Sequence, residues 1–204
     1  MLKLLIATNN QNKVKEFAEI LADLPLAVTY LADEGITLDP EETGVTFREN
    51  AILKAQAFAQ TSGLLTLADD SGLEVDALGG EPGVYSARYG DTAKDDHIGR
   101  CHLVLDKLAA QNIPWPERTA RFRCVIALAT PERLIETVEG TVEGLIDYEL
   151  KGSNGFGYDP IFFVPELNQT LGQAPGAVKH QISHRGRAAR AAAEVIERLM
   201  KDQI

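Results

Sequence analysis

Cysteine is scarce in this sequence: the chain of 204 residues contains only Cys101 and Cys124, far apart from each other. Paired cysteines at short spacings, on which disulfide frameworks and zinc knuckles depend, are missing. His97 and Cys101 would share one helix face, but no second ligand pair accompanies them at a usual zinc spacing. The cysteine content therefore excludes a disulfide scaffold, disfavours a zinc site and predicts a reducing, cytoplasmic location.

Basic residues are also in deficit, since 20 lysines and arginines face 30 aspartates and glutamates and the formal net charge is −10. A protein of this charge is repelled by polyanions such as duplex nucleic acid and by anionic membrane surfaces. We therefore expect neither as a partner. Any phosphate-binding site must be a local cluster of positive groups.

Long apolar runs are absent as well. Residues 2–7 contain Lys3 and are followed by the polar Thr8, so the run is shorter than the apolar region of a signal peptide or a spanning helix. We expect a buried first strand there instead. The 45% content of hydrophobic residues suffices for the core of one domain over residues 1–204, which we expect to consist of two lobes.

Apolar spacing and capping signals predict alternating helices and strands. Thr46 and Glu49 form a capping box, Gly63 supplies a helix stop, and Thr92 with Asp95 marks the start of a third helix. The predicted helices cover 12–23, 47–61, 92–111 and 186–201, and the main predicted strands cover 4–7, 64–68, 121–129, 134–142 and 161–164. The pattern predicts an α/β fold: an elongated mixed β-sheet flanked by helices, in two lobes with a central substrate cleft.

An acidic turn, Asp69 and Asp70 with Ser71 and Gly72, is expected to end the strand predicted at residues 64–68. Two adjacent carboxylates are unfavourable at the end of an apolar strand unless a cation or hydrogen-bond donors meet them. Mg²⁺ would meet that need, because it takes one or two protein carboxylates together with phosphate oxygens and waters. The turn therefore predicts a magnesium site.

A second acidic pair, Glu41 and Glu42, lies in a loop that also contains Pro40, Thr43 and Gly44. Such a pair is often only a solvated loop. If it has a function, Glu42 and the strand-end aspartate would hold one ion between them.

The first loop has the composition of a phosphate site without glycines. It lies where a strand passes into a helix, so that backbone N–H groups and the helix N-terminus can face an anion. Its residues are Thr8, Asn9, Asn10, Gln11, Asn12 and Lys13. The alternative is an ordinary strand-to-helix turn in which Asn12 caps the helix.

A glycine-rich loop at residues 152–160 combines a flexible backbone with Phe156, Tyr158 and Asp159. This composition suits stacking on a flat base and accepting hydrogen bonds from it, although a tight turn with core aromatics has the same composition. Residues 179–185 add cations and donors before the last helix. They suit a phosphate or a base carbonyl, unless they only cap the helix.

Together these segments resemble the inosine triphosphate pyrophosphatase family, whose members hydrolyse non-standard purine nucleoside triphosphates to monophosphate and pyrophosphate. The resemblance covers nearly the whole chain. It rests on six motifs in the family's order: residues 8–13, 41–44 with 50–55, 68–73, 82–89, 155–160 and 182–186.

The resemblance implies a magnesium-dependent enzyme, usually a homodimer, with a purine nucleoside triphosphate as substrate. Asp70 would be the catalytic proton acceptor, and Glu42 and Asp70 would hold the metal. Phe156 would stack on the purine and Arg185 would bind its 6-keto oxygen. The implied nucleotide-binding residues are Thr8, Asn9, Asn10, Gln11, Asn12, Lys13, Lys54, Ser71, Phe156, Gly157, Tyr158, Asp159, Lys179, His184 and Arg185.

The same residues are compatible with two other functions. The same loops would serve a noncatalytic nucleotide-sensing module that binds without turnover. They would also serve a related pyrophosphatase that acts on modified pyrimidine or standard nucleotides. A pocket that donates to a 6-keto group disfavours adenine, whose 6-amino group is itself a donor, but guanine shares the 6-keto group.

Overall fold

The computed structural model describes residues 2–93 and 95–201. Within these residues seven strands form one sheet, and five α-helices accompany it. The strands are β1 (Lys3–Ile6), β2 (Ala27–Tyr30), β3 (Leu65–Val75), β4 (Thr119–Ala129), β5 (Leu134–Ile146), β6 (Phe162–Val164) and β7 (Gln169–Thr170). The helices are α1 (Gln11–Ile20), α2 (Phe47–Ser62), α3 (His97–Ala110), α4 (Gly176–Ile182) and α5 (His184–Lys201).

The sheet is mixed, as the sequence predicts. Its strand order is β2-β1-β3-β4-β5-β6-β7. Strand β1 pairs in parallel with β2 and β3, whereas β6 pairs antiparallel with β5 and β7. The parallel part contains the early strand-helix alternation, because parallel neighbours require a crossover connection. No described helix has both the length and the apolarity needed to cross a membrane.

The chain divides into two compact units, each built from separate segments. Of the described residues, the first unit contains 2–70, 124–140 and 184–201, and the second contains 71–93, 95–123 and 141–183. The long strands β3, β4 and β5 each contribute residues to both units.

The core of the first unit joins the start of the sheet to α1 and α5. Phe17 of α1 is fully buried against apolar residues of β1 and β3. Helix α5 contributes small residues, Ala188, Ala189 and Ala192, which permit close packing. At Gly140 an added Cβ would lie 2.2 Å from the His184 carbonyl oxygen, so β5 and the start of α5 approach too closely for a side chain.

The second unit has its own core, in which one face of α3 packs against the later strands. Cys101, Val104 and Leu108 of α3 are fully buried there. Phe122 of β4 and Phe162 of β6 form a ring pair with centroids 4.6 Å apart. Each unit therefore buries a separate apolar cluster.

Local signals place α2 correctly. Thr46 accepts from the Glu49 backbone, the Glu49 side chain accepts from the Thr46 backbone, and Gly63 ends the helix with φ of 72°. The predicted start of the third helix is wrong: Asp96, not Thr92, caps α3, because its Oδ1 accepts from the Gly99 backbone at 2.8 Å.

The prediction that a turn at Asp69–Gly72 ends the strand is also wrong, because β3 continues through these residues to Val75. Asp69 and Asp70 are thus within a strand and not at its end. The strand tolerates the charges because lysines meet both carboxylates. Gly72 fits because an added Cβ would lie 2.3 Å from the Ser86 Oγ.

Candidate active site

Two adjacent carboxylates of β3 form the centre of the site in the first unit. Asp69 and Asp70 are 3% and 7% exposed, and successive strand residues face opposite sides of the sheet. Each carboxylate accordingly has its own lysine. The Lys13 Nζ donates to Asp69 Oδ2 at 2.7 Å, and the Lys54 Nζ donates to Asp70 Oδ1 at 3.0 Å.

Helix α2 presents two donors to Asp70 from one face, because residues four apart in a helix share a side. Asn50 Nδ2 donates to Asp70 Oδ2 at 3.2 Å, and Lys54 occupies the next turn. The same Lys54 ammonium donates to Glu42 Oε1 at 2.7 Å. One cation therefore joins two carboxylates that lie far apart in the sequence.

The environments of the two aspartates shift their pKa values in opposite directions. Burial disfavours the ionised form of Asp69, but the positive charges of Lys13 and Arg185 outweigh it and hold the pKa of this carboxyl well below its ordinary value. Burial raises the pKa of Asp70, and the nearby negative charge of Glu42 raises it further. The positive charge of Lys54 offsets these increases only in part. Asp69 is thus a fixed anion, whereas Asp70 is the more readily protonated of the two.

The Glu42 and Asp70 carboxylates fit a magnesium ion. Each carboxylate already has an oxygen directed at the Lys54 ammonium group. Mg²⁺ prefers oxygen ligands from one or two carboxylates, and phosphate oxygens and water complete its coordination shell. Among the described residues no group of three or more histidine, cysteine, aspartate or glutamate side chains is arranged to hold a metal. An ion held by Glu42 and Asp70 would take its remaining ligands from phosphate oxygens and water.

The first loop is organised around Asn10. Its Oδ1 accepts from the Asn12 and Lys13 backbone N–H groups at 3.0 and 3.3 Å, and Thr8 Oγ1 accepts from the Asn10 N–H at 3.2 Å. Asn10, not Asn12, is therefore the cap of α1. Asn9, Gln11 and Asn12 are exposed at this helix N-terminus.

Arg185 is buried inside the first unit, although the sequence resemblance predicts that it contacts a base. It is 2% exposed, its Nη1 donates to Glu16 Oε2 at 2.5 Å, and its Nε lies 4.0 Å from Asp69 Oδ2. In this structure Arg185 thus belongs to the network that keeps Asp69 ionised. The neighbouring His184 is 4% exposed at the start of α5.

A second group of predicted residues meets in the second unit. Asp159, 2% exposed, accepts from Lys179 Nζ and from the Phe156 backbone N–H, both at 2.8 Å. The Lys179 Nζ also lies 4.9 Å from the centroid of the Phe156 ring. One buried carboxylate therefore fixes both the backbone of the half-buried Phe156 and the cation above its ring.

Gly155 is required for this arrangement. Its φ is +74°, and an added Cβ would lie 2.1 Å from Asp159 Oδ2 and 3.2 Å from Lys179 Nζ. The loop can thus approach the buried ion pair only without a side chain at this position.

Tyr158 is a core residue, as the alternative for this loop proposes. It is 3% exposed, its hydroxyl donates to the Ser86 carbonyl at 2.9 Å, and burial raises its pKa above the ordinary tyrosine value.

A sequence model of the Ham1 family matches residues 4–195. The chain belongs to the Ham1 family. It is 50% identical over 198 residues to the dITP/XTP pyrophosphatase of Desulforamulus reducens, with 97% of each chain covered. It is 47% identical to the enzyme of the same name from Bacillus subtilis, with 97% of this chain and 98% of the relative covered.

The fold of this Ham1-family chain also matches solved structures. The HAM1 protein of Coxiella burnetii has a TM-score of 0.87 at 40% identity and covers 97% of this chain and 100% of its own. The mixed sheet with flanking helices is therefore the family's fold, and the resemblance read from the six motifs is confirmed.

The Ham1-family structure brings several of the predicted residues into three local groups. Within the first unit, Glu42, Lys54 and Asp70 form one group, and Lys13, Asp69 and Arg185 form another. Within the second unit, Phe156, Asp159 and Lys179 form a third. Ser71 follows Asp70 within β3 and is partly buried.

Two residues that contact these groups are not predicted from the sequence. Glu16, which binds Arg185, sits three residues after Lys13 on one helix face, and this spacing is the signal that could have identified it. Asn50, which binds Asp70, sits four residues before Lys54 and carries the same signal.

Proposed function

We propose that this chain hydrolyses non-standard purine nucleoside triphosphates, namely dITP, ITP and XTP, to the monophosphate and pyrophosphate. The observation that carries the proposal is the buried group in which the Lys54 ammonium joins the Asp70 and Glu42 carboxylates, because a lysine beside two carboxylates suits a metal ion and the phosphates of a nucleotide. The full-length similarity to two dITP/XTP pyrophosphatases supports the choice of substrate.

In the proposed reaction Asp70 accepts a proton from the attacking water. The water oxygen forms a bond to the α-phosphorus, and the bond from that phosphorus to the oxygen bridging to the β-phosphorus breaks. Pyrophosphate leaves with the electron pair. Lys54, already 3.0 Å from Asp70, orients the carboxylate and adds positive charge.

Glu42 and Asp70 are the residues that would hold Mg²⁺. When bound, the ion supplies charge compensation for the phosphate oxygens. Lys13 and the exposed polar groups of the first loop would bind the triphosphate, since a helix N-terminus and an ammonium group favour anions.

We assign base recognition to the group in the second unit. The half-buried Phe156 offers a ring face for stacking, and Lys179 offers a donor beside it. Donors suit the 6-keto oxygen of hypoxanthine or xanthine, whereas the 6-amino group of adenine would leave a donor facing another donor.

A panel of substrates tests the proposal. Pyrophosphate release is measured with dITP, ITP, XTP, GTP, ATP and modified pyrimidine triphosphates, with Mg²⁺ and after its removal by EDTA. We expect the hypoxanthine and xanthine nucleotides to be preferred and Asp70→Asn to lose at least about 100-fold in kcat. An unchanged unfolding midpoint would show that this variant is folded.

Other outcomes favour the alternatives. Tight binding of dITP with no pyrophosphate release would identify a sensing module. Equal rates on ATP and ITP would refute discrimination by the 6-substituent. Preference for a modified pyrimidine would place the chain with the related pyrophosphatases.

The resemblance also leads us to propose a homodimer. Light scattering on the purified protein would then give twice the chain mass of 22.2 kDa. Cytoplasmic location is proposed because the chain has only two cysteines and no paired spacing, and fractionation of cells that express the protein tests it.

A further inference from the structure

His97 and Cys101 of α3 contact the loop that carries Phe156. We call residues 155–158 the aromatic loop. The His97 and Phe156 ring centroids are 6.4 Å apart with an interplanar angle of 60°, and the Cys101 thiol donates to the Gly157 carbonyl at 3.4 Å. Since residues four apart share a helix face, one side of α3 contacts two consecutive residues of the aromatic loop, Phe156 and Gly157.

The His97 ring has a defined hydrogen-bond arrangement. Arg100 Nη2 lies 2.7 Å from His97 Nδ1. A guanidinium group only donates, so Nδ1 must accept and the imidazole proton resides on Nε2. Burial and the Arg100 charge lower the pKa of His97, which keeps the ring in this neutral form at neutral pH.

Arg100 is itself held in place. It is 2% exposed, and its Nη1 donates to Thr92 Oγ1 at 3.1 Å and to the Ala93 carbonyl at 2.9 Å. A buried arginine with these bonds is a rigid anchor, because moving it would leave a charge without its acceptors. The orientation of the His97 ring is therefore fixed by the fold.

Side chains of two different kinds lie near the Phe156 ring. The Lys179 ammonium lies 4.9 Å from its ring centroid, and Lys179 is tied to Asp159 at 2.8 Å. The tilted His97 ring is a second neighbour. A cation near an aromatic face and a tilted aromatic neighbour both favour particular ring orientations.

We propose that His97 is a positioning residue for the ring of Phe156 and thereby sets the affinity of the enzyme for the purine base. The inference rests on the proposed function, in which this ring stacks on the purine. His97 acts by ring contact, and Arg100 acts by holding His97. Substitution of His97 should therefore weaken substrate binding and have little effect on the chemical step.

Substitutions at His97 separate the ring contact from the bond to Arg100. His97→Phe keeps an aromatic neighbour for Phe156 but removes the acceptor. His97→Asn keeps an acceptor near the position of Nδ1 but removes the ring. His102→Ala is the matched control, because His102 is exposed on the same helix.

We expect His97→Ala and His97→Asn to raise KM for dITP roughly 3- to 10-fold, the range that one aromatic pair supports, with kcat within about twofold. His97→Phe should raise KM less than His97→Ala, because it keeps the ring contact but loses the bond to Arg100. His102→Ala should stay close to the wild type. In a Phe156→Ala background, His97→Ala should raise KM no further, because the contact is already lost. Urea unfolding of every variant checks that it is folded.

The inference is overturned if folded His97→Ala leaves KM unchanged while the wild type hydrolyses dITP. It is also overturned if His97→Asn restores KM and His97→Phe does not, since the residue would then act only as an acceptor for Arg100. An equal KM increase in the Phe156→Ala background would refute the coupling. A folded wild type that releases no pyrophosphate from dITP would refute the proposed function and this inference with it.

Discussion

Lys54 of α2 and Asp70 of β3 are joined by an ion pair of 3.0 Å in a largely buried position. The same ammonium reaches Glu42 at 2.7 Å, so this lysine neutralises the repulsion between the two carboxylates. Removing it would leave two partly buried negative charges facing each other. The first prediction concerns this lysine.

Lys54→Met should lower kcat/KM for dITP by about 10-fold or more, because a charge that stabilises the transferring phosphates and orients the catalytic carboxylate is lost. Lys15→Met, at an exposed position of α1, is the matched control. Steady-state pyrophosphate release measures both. Equal activity of the two variants would contradict the assignment.

Glu42→Gln should raise the Mg²⁺ concentration for half-maximal rate by about fivefold or more, since one of the two charged ligands is removed. The adjacent Glu41→Gln, at an exposed position, should not change it. A magnesium titration at saturating dITP measures the effect. If both variants respond alike, Glu42 has no special role in metal binding.

Asp69→Asn should lower the free energy of unfolding by about 3 kcal/mol, because Lys13 then lacks its buried counter-charge and Arg185 keeps only Glu16. Asp106→Asn, on the exposed side of α3, should have almost no effect. Urea unfolding in magnesium-free buffer measures the difference.

The depressed pKa of Asp69 also predicts a pH dependence. A carboxyl whose folded pKa lies below its unfolded value contributes stability at pH values above the unfolded value, and this contribution is lost as the pH falls. The wild type should therefore lose stability on acidification below about pH 4, the ordinary range of aspartate. At neutral pH the free energy of unfolding of Asp69→Asn should be lower than that of the wild type, and below about pH 4 it should depend less on pH. If the free energy of unfolding of the two proteins changed with pH in parallel, the lowered pKa of Asp69 would be contradicted.

Gly155→Ala and Gly157→Ala form a matched pair in the aromatic loop. Both residues have positive φ, +74° and +65°, but only the Cβ at Gly155 would meet Asp159. That carboxylate cannot move aside, because it holds Lys179 and the Phe156 backbone.

We therefore expect Gly155→Ala to raise KM for dITP at least about 10-fold, whereas Gly157→Ala should mainly lose the roughly 1 kcal/mol of stability that a left-handed alanine costs. Steady-state kinetics and urea unfolding separate the two effects. A larger KM effect at Gly157 would show that steric contact with the ion pair is not the cause.

Elements with strong local signals could be predicted from the sequence. Helix α2 begins and ends where Thr46, Glu49 and Gly63 indicate, because a capping box and a left-handed glycine act within a few residues. Where several capping residues stand together the sequence does not choose among them. Asn10 and Asp96 cap α1 and α3, although Asn12 and Thr92 satisfy the same pattern.

The acidic pair shows the limit of local interpretation. Asp69 and Asp70 have low strand propensity, and with a glycine two residues later they resemble a turn. The strand continues because Lys13 and Lys54 reach these carboxylates from helices distant in the sequence. No local window contains that information.

By itself the sequence determined the α/β class, the motifs that place the chain in its family and the residue types available for catalysis. The tertiary structure alone decided the partner of each charge. Lys13 meets Asp69 across 56 positions, and Arg185 meets Glu16 across 169. Such pairs depend on which strands and helices become neighbours, and burial then decides that Tyr158 packs in the core while Phe156 remains partly exposed.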